Sequence, residues 1–254
     1  MIAVNKAIKQ FGDKRHIDKA VAAFESLSRK ALDPTIVSYN VLLFALIKCG
    51  DLTRATAVYH EMLRDDRVEP NIVTFTTVLK GCCEAGDLEM ATSIVDQIWA
   101  KHLQPTERTV STFLRGCMWV GDVDRALTLF TACSARAPAS IGATCVDYIV
   151  RLLSAAVRTD DAHAVLERCD ALLASTPAPF VALALACALV GERERCVNLV
   201  RRCDALLSND RTLRLFNDRA SADGESSVQV CAVAKCANPE CAIRKLKPLY
   251  VQIS

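Results

Sequence analysis

The chain has 254 residues, 52% of them hydrophobic and only 6% aromatic, with a formal net charge of +2. So small a charge excludes a global attraction to polyanions, and a nucleic-acid partner would have to be held by a local basic stripe. A core short of aromatic residues must be built from Leu, Val, Ala and Cys, which suits closely packed helices better than a sandwich of aromatic strands.

The thirteen cysteines are odd in number and spread at helical core spacings, so they are expected to be reduced thiols in an intracellular compartment rather than a disulfide framework. No apolar run reaches the length of a membrane span; "FVALALACALV", from Phe180 to Val190, reads as a buried helix, and no membrane partner is expected. No signal peptide is visible, because Met1 already falls inside a repeat.

"GDL" at Gly50–Leu52 returns as "GDL" at Gly86–Leu88 and as "GDV" at Gly121–Val123, at spacings of 36 and 35. "RCDALL" occurs at Arg168–Leu173 and again, 34 residues on, at Arg202–Leu207. A period near 35 marks a stack of helix-turn-helix units, none of which can bury its apolar face alone. Cutting at 36, 72, 107, 143 and 177 gives six units: 1–35, 36–71, 72–106, 107–142, 143–176 and 177–210.

In each unit the fourth residue is apolar (Val4, Tyr39, Phe75, Val110, Val146, Phe180), where a first helix meets its neighbour. The twentieth is small (Ala20, Ala55, Ala91, Ala126, Ala162, Cys196) and the twenty-fourth bulky (Phe24, Tyr59, Val95, Phe130, Leu166, Val200), so paired helices approach closely. The twenty-seventh column ends in Cys133, Cys169 and Cys203, which makes the cysteine of "RCDALL" a core residue of each second helix. Gly50, Gly86, Gly121 and Gly191 are placed to end first helices in a left-handed C-cap, and Asp51, Asp87 and Asp122 to cap the second helices. Pro34, Pro70 and Pro105 mark where the chain turns back.

The stretches "IVSYNVLLFALIKCGDLTRATAVYHEM" with "VEPN", and "IVTFTTVLKGCCEAGDLEMATSIVDQI" with "LQPT", resemble the pentatricopeptide repeat family. The likeness is strong over residues 1–130 and fades towards 210. The tetratricopeptide repeat shares the small twentieth residue, but its early Trp and Leu-Gly signature is missing. The expected fold is all-α: a right-handed α-solenoid of about six helix-turn-helix repeats over 1–210. Residues 211–254 then form a polar loop, "NDRASADGESS", and a short C-terminal helical cap over the open end.

The second, fifth and ninth residues of each first helix share a face. The fifth residues Asn5, Asn40, Thr76, Ser111 and Asp147 are short and polar. In four of the first five units the ninth residue is a cation (Lys9, Lys80, Arg115, Arg151; Phe44 is the exception), and none of the six is an acid, which reads as a basic stripe for a phosphate backbone. The second residues Ile2, Val37 and Val73 are aliphatics on the same face, suited to stacking against bases; Arg108 and Thr144 depart from that. The resemblance implies that each unit reads one base with its fifth and last residues. The pairs are then Asn5 with Thr35, Asn40 with Asn71 and Thr76 with Thr106, while Ser111 pairs with Gly142 or Ile141, and Asp147 with Thr176. It further implies pyrimidine at fifth-column Asn, purine at Thr or Ser, and the amino-bearing base at a last-column Asn.

No Walker loop, nucleophile elbow or HExxH is present, so no enzyme activity and no cofactor are expected. His16, His60, His102 and His163 fall in second helices or turns and read as surface residues. Cys231, Cys236 and Cys241 lack a zinc-site spacing, and no metal is expected there. The sequence thus points to a sequence-selective binder of single-stranded RNA in RNA processing, stability or translation. The resemblance places it in an organelle, mitochondrion or plastid. Two rivals stand beside this: a scaffold subunit partnering others in an organellar ribosome or ribonucleoprotein, and the recognition arm of an RNA-processing or tRNA-modifying enzyme whose catalytic domain lies elsewhere.

Overall fold

The structure is a computed structural model describing residues 1–29, 31–173 and 178–209. Among these every regular element is helical, and no helix is long and apolar enough to cross a membrane. The chain divides into two compact units, each a stack of helical hairpins of the α-solenoid kind. The C-terminal cap expected over 211–254, with Cys231, Cys236 and Cys241, lies outside the described residues, as does Thr176.

The first unit contains α1 (Ile2–Asp13), α2 (Ile17–Arg29), α3 (Ile36–Lys48), α4 (Leu52–Arg64), α5 (Ile72–Ala85), α6 (Leu88–Ala100) and α7 (Glu107–Val120). The following helix, α8 (Val123–Arg136), has its start assigned to the second unit, and its end, with the 3-10 turn Pro138–Ser140, to the first. First helices α1, α3, α5 and α7 pack on one another in order. Of the second helices, α2 and α4 each pack on their own first helix and on the next, as does α6. The second unit continues with α9 (Ala143–Ala155), α10 (Thr159–Arg168), the 3-10 turn Asp170–Leu173, α11 (Ala178–Val190) and α12 (Arg193–Asn209). There α9 packs on α10 and α11, and α11 on α12.

The small twentieth column and the bulky twenty-fourth column are buried throughout. The twenty-fourth residue of one repeat meets the fourth of the next: the rings of Phe24 and Tyr39 lie 5.1 Å apart and those of Tyr59 and Phe75 6.3 Å apart, in the tilted and edge geometries that aromatic pairs prefer. Successive first helices cross where one partner is small. An added Cβ on Gly12 would stand 2.5 Å from Ala45 Cβ, and one on Gly81 2.9 Å from Ile47. These contacts leave no space for a larger residue, which draws the polar faces of neighbouring first helices together.

Each first helix ends in a left-handed residue at the same column. Gly50, Gly86, Gly121 and Gly191 have φ of 82°, 75°, 83° and 83°, while Arg15 and Val157 take 58° and 61° without the freedom of glycine. Asp51 and Asp87 then accept the backbone N–H of Arg54 and Met90, and Asp122 that of Arg125, starting the second helices. Ion pairs one period apart tie neighbouring repeats: Arg54 with Asp18, Arg67 with Asp33 and Lys48 with Asp13 in the first unit, and Arg158 with Asp124 and Arg195 with Asp160 in the second.

The "RCDALL" expectation needs correction at its first copy. α10 stops at Arg168, the chain tightens into the Asp170–Leu173 turn, and Cys169 is only half-buried. Leu173 is fully buried on the turn that packs against α9, so the larger apolar side chain takes the core position that a continued helix would have offered Cys169. The second copy runs within α12, where Cys203 is buried.

Candidate nucleic-acid interface

Proline immediately precedes the caps of α3, α5 and α7, and the cap residues are the last residues of the preceding repeats: Thr35, Asn71 and Thr106. Each is completed by the residue three positions on. Ser38 N–H donates to Thr35 Oγ1 at 3.4 Å, Thr74 N–H to Asn71 Oδ1 at 3.1 Å, and Thr109 N–H to Thr106 Oγ1 at 3.2 Å. The side chains of Ser38, Thr74 and Thr109 are buried.

These buried hydroxyls also face the fifth residue of the preceding first helix. The Thr74 hydroxyl donates to Asn40 Oδ1 at 2.7 Å, and Thr76 Oγ1 lies 2.8 Å from Thr109 Oγ1. Asn40 is thereby joined through Thr74 to Asn71, and Thr76 through Thr109 to Thr106. The first repeat differs: Ser38 Oγ donates to Met1 Sδ at 3.5 Å, and Asn5 Oδ1 is buried without a hydrogen-bond partner. No reasoning from columns two, five and nine found this third-column set, although the Thr-x-x-Ser, Asn-x-x-Thr and Thr-x-x-Thr spacing of a capping box was present to signal it.

The second-column residues stand out from the surface, with Ile2 86%, Val37 54% and Val73 55% exposed. Between α3, α5 and α7 lies a cleft of about 280 Å³, near the lower end of ligand-site volumes. Val73, Thr76, Lys80 and Thr106 line it, one from each column of the expected site. Phe44 and Arg108 line it too, so two of the departures from the column pattern form part of its wall.

The cations are less free than their column suggested. Lys80 Nζ lies 3.6 Å from Glu84 and Arg151 3.6 Å from Asp147, each one turn along its own helix. Arg115 stands 5.2 Å over the Trp119 ring, and Lys9 is exposed. The ninth column contains no acid, but acids of other columns reach it. Asp147 is held mostly out of solvent; burial pushes its carboxyl above the ordinary range despite Arg151, and its Oδ1 has no hydrogen-bond partner. Ser111 donates back to Arg108 O at 3.3 Å, and Gly142 takes the cap of α9 with no side chain to offer.

The sequence model of the PPR repeat family matches residues 34–84 and 70–119, the stretch that holds α3 to α7 and the cleft. Residues 34–119 carry pentatricopeptide repeats. Among solved structures, the chain is similar to the PPR domain of Arabidopsis thaliana protein-only RNase P 1, solved in complex with tRNA. The TM-score is 0.56 at 22% identity over 66% of this chain and 87% of that one. Maize PPR10 matches with a TM-score of 0.57 at 21% identity. The PPR10 complex with an 18-nt psaJ RNA element matches with a TM-score of 0.57 at 19% identity, over 98% of this chain and 33% of that one. The chain therefore spans about a third of the PPR10 chain it matches. Against curated proteins the sequence finds no significant match.

Proposed function

We propose that this chain binds single-stranded RNA sequence-selectively, in organellar RNA processing, stability or translation. The observation that carries the reading is the cleft where Val73, Thr76, Lys80 and Thr106 converge: an exposed aliphatic face for a base, two hydroxyls for its edge and a cation for the phosphate. Val37 and Val73, on adjacent first helices, offer flat apolar contact to unstacked bases, and the fifth- and last-column pairs Asn40 with Asn71 and Thr76 with Thr106 meet base edges. Asn5 with Thr35 would read one base before them, and Ser111 with Gly142 or Ile141 and Asp147 with Thr176 would follow, Asp147 being paired with Arg151. Lys9, Lys80, Arg115 and Arg151 are the backbone contacts. The PPR10 complex with RNA supports the reading, and the family match covers the repeats that make the cleft.

The test is fluorescence anisotropy with short RNAs obtained by selecting a random single-stranded pool on the chain. Selected RNAs binding at least tenfold tighter than scrambled ones support the reading, and equal binding to all sequences refutes it. The recognition-arm reading has one observation in its favour, namely that the match covers 87% of a PPR domain solved with tRNA. It predicts that folded tRNA competes better than any linear RNA.

A further inference from the structure

The base-reading role of Asn40 and Thr76 proposed above leaves open what each side chain presents to a base, because an amide offers either its oxygen or its NH₂ group and a hydroxyl offers either a proton or a lone pair. The buried third-column threonines decide this. Asn71 Oδ1 already accepts two backbone N–H groups, from Val73 at 3.0 Å and Thr74 at 3.1 Å. Thr74 Oγ1 accepts the Asn71 N–H at 3.3 Å, and its single proton can go to Asn71 Oδ1 at 3.3 Å or to Asn40 Oδ1 at 2.7 Å. The shorter contact goes to the acceptor that has no backbone donor, so the proton goes to Asn40. Both amide oxygens are then engaged, and both NH₂ groups are the parts left to face a ligand.

We propose that Thr74 is a specificity-determining positioning residue, which anchors Asn40 Oδ1 so that Asn40 and Asn71 together present only hydrogen-bond donors to a base. This rests on the RNA-binding reading. Two donors side by side match the adjacent O2 and N3 acceptors of cytosine; uracil carries a donor at N3 and would meet one of them with a clash of protons. Discrimination at this base is thus set by three residues, one of them buried and out of reach of RNA.

The next repeat is built differently. Thr109 Oγ1 accepts the Thr106 N–H at 3.2 Å and lies 2.9 Å from Thr106 Oγ1 and 2.8 Å from Thr76 Oγ1. In this row of hydroxyls the protons run either way. Directed towards Thr106 they leave Thr76 a bare acceptor, and directed towards Thr76 they free its proton to donate. Thr76 therefore adapts to its base, whereas Asn40 does not, and the Asn40 repeat is the stricter of the two.

The experiment measures binding of the full chain to its selected RNA and to single-base permutations of it. Thr74→Val removes the hydroxyl at nearly constant volume. It is expected to lower cytosine-over-uracil discrimination at one position by about three- to tenfold, as the loss of one neutral hydrogen bond implies. Discrimination at the neighbouring base and the salt dependence stay unchanged. Thr74→Ser is expected to keep wild-type discrimination, and in an Asn40→Ala background Thr74→Val is expected to add nothing. Equal weakening towards all RNAs, or an effect that persists without Asn40, overturns the proposal in favour of a purely structural cap.

Asn40→Asp supplies a second arm that leaves the buried hydroxyl untouched. The carboxylate still accepts from Thr74 but shows the base no donor, so cytosine preference at that position is expected to disappear, and its survival overturns the proposal. A wild-type chain that binds without any sequence preference removes the RNA-reading proposal itself, an outcome distinct from selective binding that ignores Thr74.

Discussion

Gly116 of α7 packs against Cys83 of α5 so closely that a Cβ on Gly116 would stand 2.7 Å from both Cys83 Cβ and Sγ. This crossing brings the polar faces of two first helices to the separation at which Thr76 and Thr109 hydrogen-bond. Gly116→Ala is expected to destabilise the chain by about 1–3 kcal/mol through overpacking, read as a fall in the urea midpoint at constant slope. Cys83→Ala in the same chain removes the sulfur but keeps Cβ, so it restores only part of the loss. Full restoration would place the strain at the sulfur alone.

Val157 occupies the column that four other repeats fill with glycine, and it holds φ of 61° with a β-branched side chain. Left-handed backbone costs such a residue about 1–2 kcal/mol, of which glycine's greater unfolded-state freedom returns roughly half. Val157→Gly is therefore expected to raise the Tm by a few degrees. A fall in Tm would show that the half-exposed Val157 side chain contributes more by contact than its backbone loses.

Asp147 is an acid whose pKa is raised on folding, chiefly by burial. Below the ordinary carboxylate range the group is protonated in both states and costs nothing. As pH rises through the raised value, the unfolded chain ionises more readily, and stability falls. Asp147→Asn removes this penalty and is expected to raise the Tm at pH 7, with the advantage vanishing in acid. A benefit independent of pH would disprove the linkage.

Lys80 pairs with Glu84 at 3.6 Å and lines the cleft proposed to take RNA. Lys80→Ala is expected to weaken all RNAs alike and to reduce the slope of log K against log salt by about 0.7. Glu84→Gln frees the ammonium and is expected to tighten binding without changing sequence preference. If Glu84→Gln leaves affinity unchanged, Lys80 does not contact the backbone.

Arg54 ties two repeats through Asp18 and Asp51 on an exposed edge. Arg54→Met is expected to lower stability more at low salt than at 1 M salt, because the pairing is screened as ionic strength rises. Thermal melts at the two salt concentrations provide the measurement, and an equal loss at both would assign the effect to packing.

The repeat period, the left-handed turn column, the Asp caps and the apolar columns were legible in the sequence, because each rests on local chemistry: a glycine where φ must be positive, a carboxylate beside free N–H groups, a small residue every thirty-five. The early end of α10 was not, since the burial of Leu173 against α9 outweighed helical continuation at Cys169. Helical spacing placed Thr76 and Lys80 on one face of α5, and both line the cleft. The hydrogen-bond partners of Asn40 and Thr76 could not be read from it. Thr74 and Asn40 are 34 residues apart and Thr109 and Thr76 are 33 apart, and their hydrogen bonds exist only where two repeats press together. The ninth column alone made Lys80 and Arg151 part of a basic stripe; Glu84 and Asp147, each four residues away on the same helix, pair with them, and that spacing was already present in the sequence. Periodicity assigns a residue to a face, but which atoms remain available to a ligand depends on partners that only packing supplies.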